Sequence, residues 1–187
     1  MLPRMQHTAL MQPEPGTHPT ALSDDVPARR LTAVEPRARI LYVDDEPQPR
    51  ILGELVLVRS GYDVDIAADG AEAWAALLDE NYHLLITEQD MPRLSGLELA
   101  SRVRRAGMRL PILLTSGSHN CLHDPSCAWL DFAAFLRKPF APDSLVEMVE
   151  QVLVAANTLR DQSESILSSL EHMARRAQPY LHGGINE

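Results

Sequence analysis

The sequence predicts an α/β fold: a doubly wound sheet of five parallel strands, (βα)5, with a long helix at its end. Two observations predict it. Between residues 38 and 156, short apolar runs alternate about five times with segments of helical period, the pattern of strands joined by crossover helices. The residues that follow those runs are Asp44 and Asp45, Glu88, Ser116 and Lys138. They are polar groups at the carboxyl ends of strands, where open α/β sheets place their sites.

Each element has its own signal. "RILYV" (39–43) is apolar and stops at Asp44, as a strand buried on both faces does. Ile51, Leu55 and Val58 recur at helical spacing, and Gly61 is a natural stop. "YDVDIA" (62–67) alternates and reads as a strand. "DGAEAWAALLDEN" (69–81) reads as a helix with Asp69 as its N-cap. "HLLIT" (83–87) is a second buried strand. "SGLELASRVRRAG" (95–107) is a helix bounded by Ser95 and Gly107. "LPILLTSG" (110–117) and "FAAFLRK" (132–138) are strands four and five. Helix resumes after Pro142, with Asp143 in its first turn.

Residues 1–37 contain Pro3, Pro13, Pro15, Pro19, Pro27 and Pro36 and show no period, so a disordered tail is expected there. The hydrophobic fraction of 45% is enough for a packed core in residues 38–156. A formal charge of −9 opposes binding to nucleic acid, which needs a basic face. No apolar run is long enough to span a membrane, and the N-terminus does not read as a signal peptide. Two cysteines, Cys121 and Cys127, suit a reducing cytoplasm.

Four motifs in this order resemble a response-regulator receiver domain of the CheY-like, flavodoxin-like kind, over residues 38–155. "VDDE" matches the family's acidic pair with Asp44 and Asp45. "LLTSG" matches its hydroxyl residue with Ser116, and "LRKPF" its lysine with Lys138. "DMPRLSG" matches the loop after the phosphoacceptor, and Phe135 the switch aromatic. The resemblance implies phosphoryl transfer from a histidine kinase to one carboxylate. It implies a Mg²⁺ ion held by Asp44 or Asp45, that carboxylate and the backbone carbonyl of Asp90. Lys138 and Ser116 then bind phosphoryl oxygens, and Ser116 and Phe135 move together toward the site.

The acceptor position holds Glu88 where the family has aspartate. Its carboxylate sits one methylene further out, and a displacement near 1 Å costs in-line transfer roughly a hundredfold. Glu88 is therefore expected to be a poor acceptor that instead meets Lys138 and Ser116 directly, imitating part of the phosphorylated state. A degenerate site that keeps an acid to balance Lys138, without signalling consequence, is the plainer reading. A further alternative is a conventional receiver still phosphorylated at Glu88 or Asp90. An enzyme, such as an aspartate-nucleophile phosphatase, is disfavoured because "DDEP" lacks the Asp-x-Asp spacing.

Two segments depart from the family. "SHNCLHDPSCAWLD" (118–131) replaces its fourth helix, and Pro125 predicts a short or irregular one. His119, Cys121, His123 and Cys127 lie close in sequence, but their spacing fits no common zinc site, so surface histidines and loop cysteines are expected. Trp74 and Trp129 are expected to pack. The last helix carries Leu145, Val149, Val152, Ala156, Leu159, Ser163, Ile166, Leu170 and Met173 in steps of four and three, a heptad seam. Its first part should face the sheet. Residues 157–177 form a helical extension that needs a partner, either a second copy or another protein's helix, and 178–187 read as a loose end. With no output domain after it, the chain is expected to be a stand-alone signalling module and not an enzyme.

Overall fold

The computed structural model describes residues 38–117 and 125–181. The expected tail (1–37), His119, Cys121, His123 and residues 182–187 lie outside them. Five strands, β1 (Arg39–Val43), β2 (Asp63–Ala67), β3 (Leu84–Glu88), β4 (Ile112–Ser116) and β5 (Ala134–Arg137), form one parallel sheet in the order β2-β1-β3-β4-β5. The order reverses beside β1, so β1 and β3 frame the crevice where such sheets bind ligands.

The helices are α1 (Pro47–Arg59), α2 (Gly70–Asp79), α3 (Gly96–Arg105) and α4 (Pro142–Leu181). Alternate residues of β1 divide the core. Leu41 and Val43 pack with Leu77, Leu99 and Val103 of α2 and α3, and Ile40 and Tyr42 pack with Leu57, Leu145 and Val149 of α1 and α4. The sheet is thus covered on both faces, as its unbroken apolar strands require. Each fully buried side chain of this kind contributes roughly 1.5–3 kcal/mol.

The caps follow the sequence. Asp69 accepts hydrogen bonds from the backbone N–H groups of Ala71 and Glu72 at the start of α2. Ser95 and Glu98 form a reciprocal capping box at the start of α3. Where the family has its fourth helix, the described residues form a 3-10 helix, Pro125–Leu130, a short element as Pro125 predicts. Trp74 packs on the core, but Trp129 is 51% exposed with Arg105 over its ring, against expectation. The 3-10 turn is too short to bury both its Leu130 and its indole.

Helix α1 also differs. Its buried residues are Gly53 and Leu57, while Ile51, Leu55 and Val58 face outward together with Leu52. The reason is Tyr42. A Cβ on Gly53 would come within 2.5–2.9 Å of the Tyr42 ring, so the helix packs by its glycine face against the phenol. The apolar stripe visible in the sequence is left at the surface.

Candidate functional site

Three strand ends bring carboxylates and an ammonium together. β1 delivers Asp44, which is fully buried, and Asp45, which is half-buried. One Asp44 oxygen accepts the Glu46 backbone N–H at 3.0 Å, and the other accepts Lys138 Nζ at 2.7 Å. The Arg50 guanidinium donates to the carbonyls of Asp44 (2.6 Å) and Asp45 (3.2 Å) and fixes this turn. β3 delivers Glu88, 6% exposed, whose Oε2 is ion-paired with Lys138 Nζ and accepts from the Thr115 hydroxyl at 3.4 Å. Lys138 follows β5, and its backbone N–H donates to the Ser116 carbonyl at 2.9 Å. Ser116 is buried at the end of β4. The ammonium is therefore shared by two carboxylates that come from different strands.

The loop after β3 is drawn tight beneath them. Gln89 N–H donates to Thr115 O and Gly96 N–H to Gln89 O, each at 2.9 Å. A Cβ on Gly96 would collide with the Glu88 carbonyl oxygen, so only glycine admits this close return of the chain. Asp90 is exposed, and its carboxylate accepts from the Gln89 amide at 3.2 Å. Its side chain takes no part in the Lys138 pairs. Arg93, in the left-handed region at φ 66°, is ion-paired with Asp69. Phe135 is half-buried and meets Phe132 edge-on at 5.2 Å between ring centroids.

Electrostatics follow from burial. Burial opposes the Lys138 charge, but hydrogen bonds to Asp44 and Glu88 and their negative charges outweigh it, so its pKa lies above the ordinary value. Tyr42 lies under the same cluster, and its pKa is pushed up to about 12, first by burial and then by the Asp44 charge. Tyr42, Thr115 and Arg50 carry no motif and are not visible as site residues in the sequence. Tyr42 sits in an apolar strand and reads as core. Thr115 precedes the motif serine, and only the sheet register aligns it with Glu88.

A metal ion is a separate question. Carboxylates are the right donors for Mg²⁺, yet among the described residues no group of three or more acidic, histidine or cysteine side chains is arranged to hold one. Lys138 stands where the Asp44 and Glu88 oxygens would have to face a cation. As arranged, the Asp44 and Glu88 oxygens taken by Lys138 do not fit the ion. Cys127 is a free, buried thiol.

A five-stranded parallel sheet of this order, with acids after β1 and β3, a hydroxyl after β4 and a lysine after β5, defines a receiver domain. The chain belongs to that family: the model of the response regulator receiver domain matches residues 40–150. Among curated relatives, the response regulator MprA of Mycobacterium avium is 34% identical over 130 residues, 68% of this chain and 56% of that one. The chain thus spans little more than half of that relative's length. Among solved structures, the chemotaxis response regulator CheY4 of Vibrio cholerae matches with a TM-score of 0.58 at 29% identity, covering 62% of this chain and 98% of that one. TrrA of Thermotoga maritima, in complex with Mg²⁺-BeF, matches with a TM-score of 0.56 at 36% identity, covering 61% and 97%. Among the described residues no helix is long and apolar enough to cross a membrane.

Proposed function

We propose that this receiver acts in two-component signalling as a protein-interaction module whose switch is set by its own residues, with Glu88 in place of a phosphorylated aspartate. One observation supports this above the others: the Lys138 ammonium pairs with both Asp44 and Glu88, and both carboxylates are buried. Phosphoryl transfer would need a free carboxylate about 3–3.5 Å from the donor phosphorus, with room behind it. The longer glutamate has already spent that room on the lysine.

Glu88 brings about one negative charge where a phosphoryl group brings nearly two. A unit pair at 4 Å is worth roughly 4 kcal/mol at an effective dielectric of 20, before desolvation is subtracted. That is the scale of the gap between two states of a switch, so a bias toward one state is the expected result. Partners of the module are a histidine kinase or another signalling protein, with the exposed end of α4 as the contact element. The formal charge of −9 argues against nucleic acid as a partner, and no catalytic turnover is assigned to the chain.

The test is intact-mass measurement after incubation with acetyl phosphate and Mg²⁺. The native chain should gain no phosphoryl mass, and Glu88→Asp should gain one. A gain by the native chain that vanishes in Glu88→Ala would overturn the reading in favour of a conventional receiver.

A further inference from the structure

Beyond Asn157 helix α4 leaves the domain, and every residue with a described side chain from there on is exposed. The seam residues Leu159, Ile166, Leu170 and Met173 are 64, 60, 55 and 66% exposed, and the adjacent Leu167 is 60% exposed. This part of the helix runs about 37 Å at 1.5 Å per residue. A helix that long, with one apolar stripe that no described residue covers, has a face to offer a partner.

The make-up of the seam says which one. Its positions fall into two rows. Ala156, Ser163 and Leu170 form one, and Leu159, Ile166 and Met173 form the other. In a parallel pair of identical helices each row meets itself, so Ser163 faces its own counterpart, as does Ala156. That leaves a polar layer and a thin layer in the seam. In an antiparallel pair the rows face each other whatever the register. With Leu159 opposite Leu170, Ser163 meets Ile166 and Ala156 meets Met173, and small fills against large.

Charge points the same way. Residues 142–156 carry Asp143, Glu147 and Glu150 and no lysine or arginine, whereas residues 172–181 carry Arg175 and Arg176 and no acid. This polarity suits the dipole of a single helix. Between two helices it favours opposite directions, because a parallel pair sets acid beside acid and base beside base.

We propose that α4 pairs with α4 of a second copy of this chain in an antiparallel, two-fold arrangement, with the two receiver domains at opposite ends. The proposal rests on the reading of α4 as the module's contact element, but not on the state of Glu88. Sedimentation of the full chain should show a dimer that Ile166→Glu converts to a monomer with unchanged helix content.

Orientation is read from nitroxide labels at Ser168→Cys and, separately, Arg175→Cys, in a Cys121→Ser, Cys127→Ala background. The two positions are one heptad apart on the same face. In an antiparallel pair the inter-label distance at 175 should exceed that at 168 by about 10 Å or more, given the 1.5 Å rise. Equal distances overturn the proposal in favour of a parallel pair. A chain that stays monomeric at every concentration overturns it in favour of a different protein's helix. Neither outcome changes the phosphorylation result, so the two readings fail separately.

Discussion

Two clusters stand at opposite ends of β1, and they share a plan: one cation among acids from different elements, with a tyrosine beside them. At the carboxyl end Lys138 joins Asp44 and Glu88 over Tyr42. At the amino end Arg39 joins Asp65 (2.7 Å) and Glu80 (2.8 Å), Tyr82 donates to Asp65 at 2.8 Å, and the guanidinium lies 5.1 Å from the Tyr82 ring. Exposure separates them. The Asp44 and Glu88 side chains are 0 and 8% exposed, while Asp65 and Glu80 are 40 and 54% exposed. Water can replace any partner lost from the second cluster, but not from the first. A cation shared among acids is therefore a screened surface staple at one end and a buried, tightly coupled group at the other.

The largest effect should come from Lys138→Met. It strands two buried carboxylates without their cation, and breaking such a pair costs about 3–5 kcal/mol, toward the lower end here because Lys138 is partly exposed. Urea denaturation measures it. Adding Glu88→Gln to that variant should restore part of the loss, since one buried charge then disappears. No recovery would mean the pocket is wetter than its burial implies.

Alkali comes next. The Tyr42 pKa is raised to about 12, so its contribution is fully present below the unfolded value near 10 and is lost as pH rises through 12. Lys138, also raised, adds loss in the same direction above its ordinary value of 10.5. Stability should fall by roughly 2–3 kcal/mol between pH 10 and 12 from Tyr42 alone, and Tyr42→Phe should flatten that part of the curve. Tyr82, also raised to about 12 by burial and by Asp65, is far more exposed, and Tyr82→Phe should change the profile much less.

A smaller loss is expected for Arg39→Ala, and it should shrink in molar salt, which screens exposed pairs. The deficit of Lys138→Met should persist in the same salt. Equal salt sensitivity of the two would erase the distinction drawn here. The smallest effect is expected from millimolar Mg²⁺, which should leave the melting temperature of the native chain unmoved. A rise would show that the folded chain binds the ion after all, because only binding to the folded state stabilises it.

Much of this was legible before any coordinates. Strand runs ending in Asp44, Glu88, Ser116 and Lys138 sufficed to bring these residues to one edge, since a parallel sheet gathers its strand ends there. Asp69 and Ser95 announced their helices through local hydrogen bonds that sequence alone specifies. What failed was depth and facing. Ile51, Leu55 and Val58 advertised the wrong side of α1, because the true contact is made by Gly53, which has no side chain to advertise. Tyr42 passed as core because its role depends on which charges lie a few ångströms above it. The sharing of Lys138 between two acids depends on distances across strands that lie about fifty and ninety residues apart in the chain.

Helix α4 passes from the sheet into open solvent as one unbroken element, from Pro142 to Leu181. Its root, Leu145 and Val149, is clamped in the core beside β5, the strand that carries Phe135 and leads into Lys138. Such a rod is a lever. A tilt of about 10° at the clamp sweeps the far tip through roughly 8 Å, given 1.5 Å of rise per residue, so a shift too slight to notice around an ammonium group becomes a displacement that a neighbouring molecule can feel.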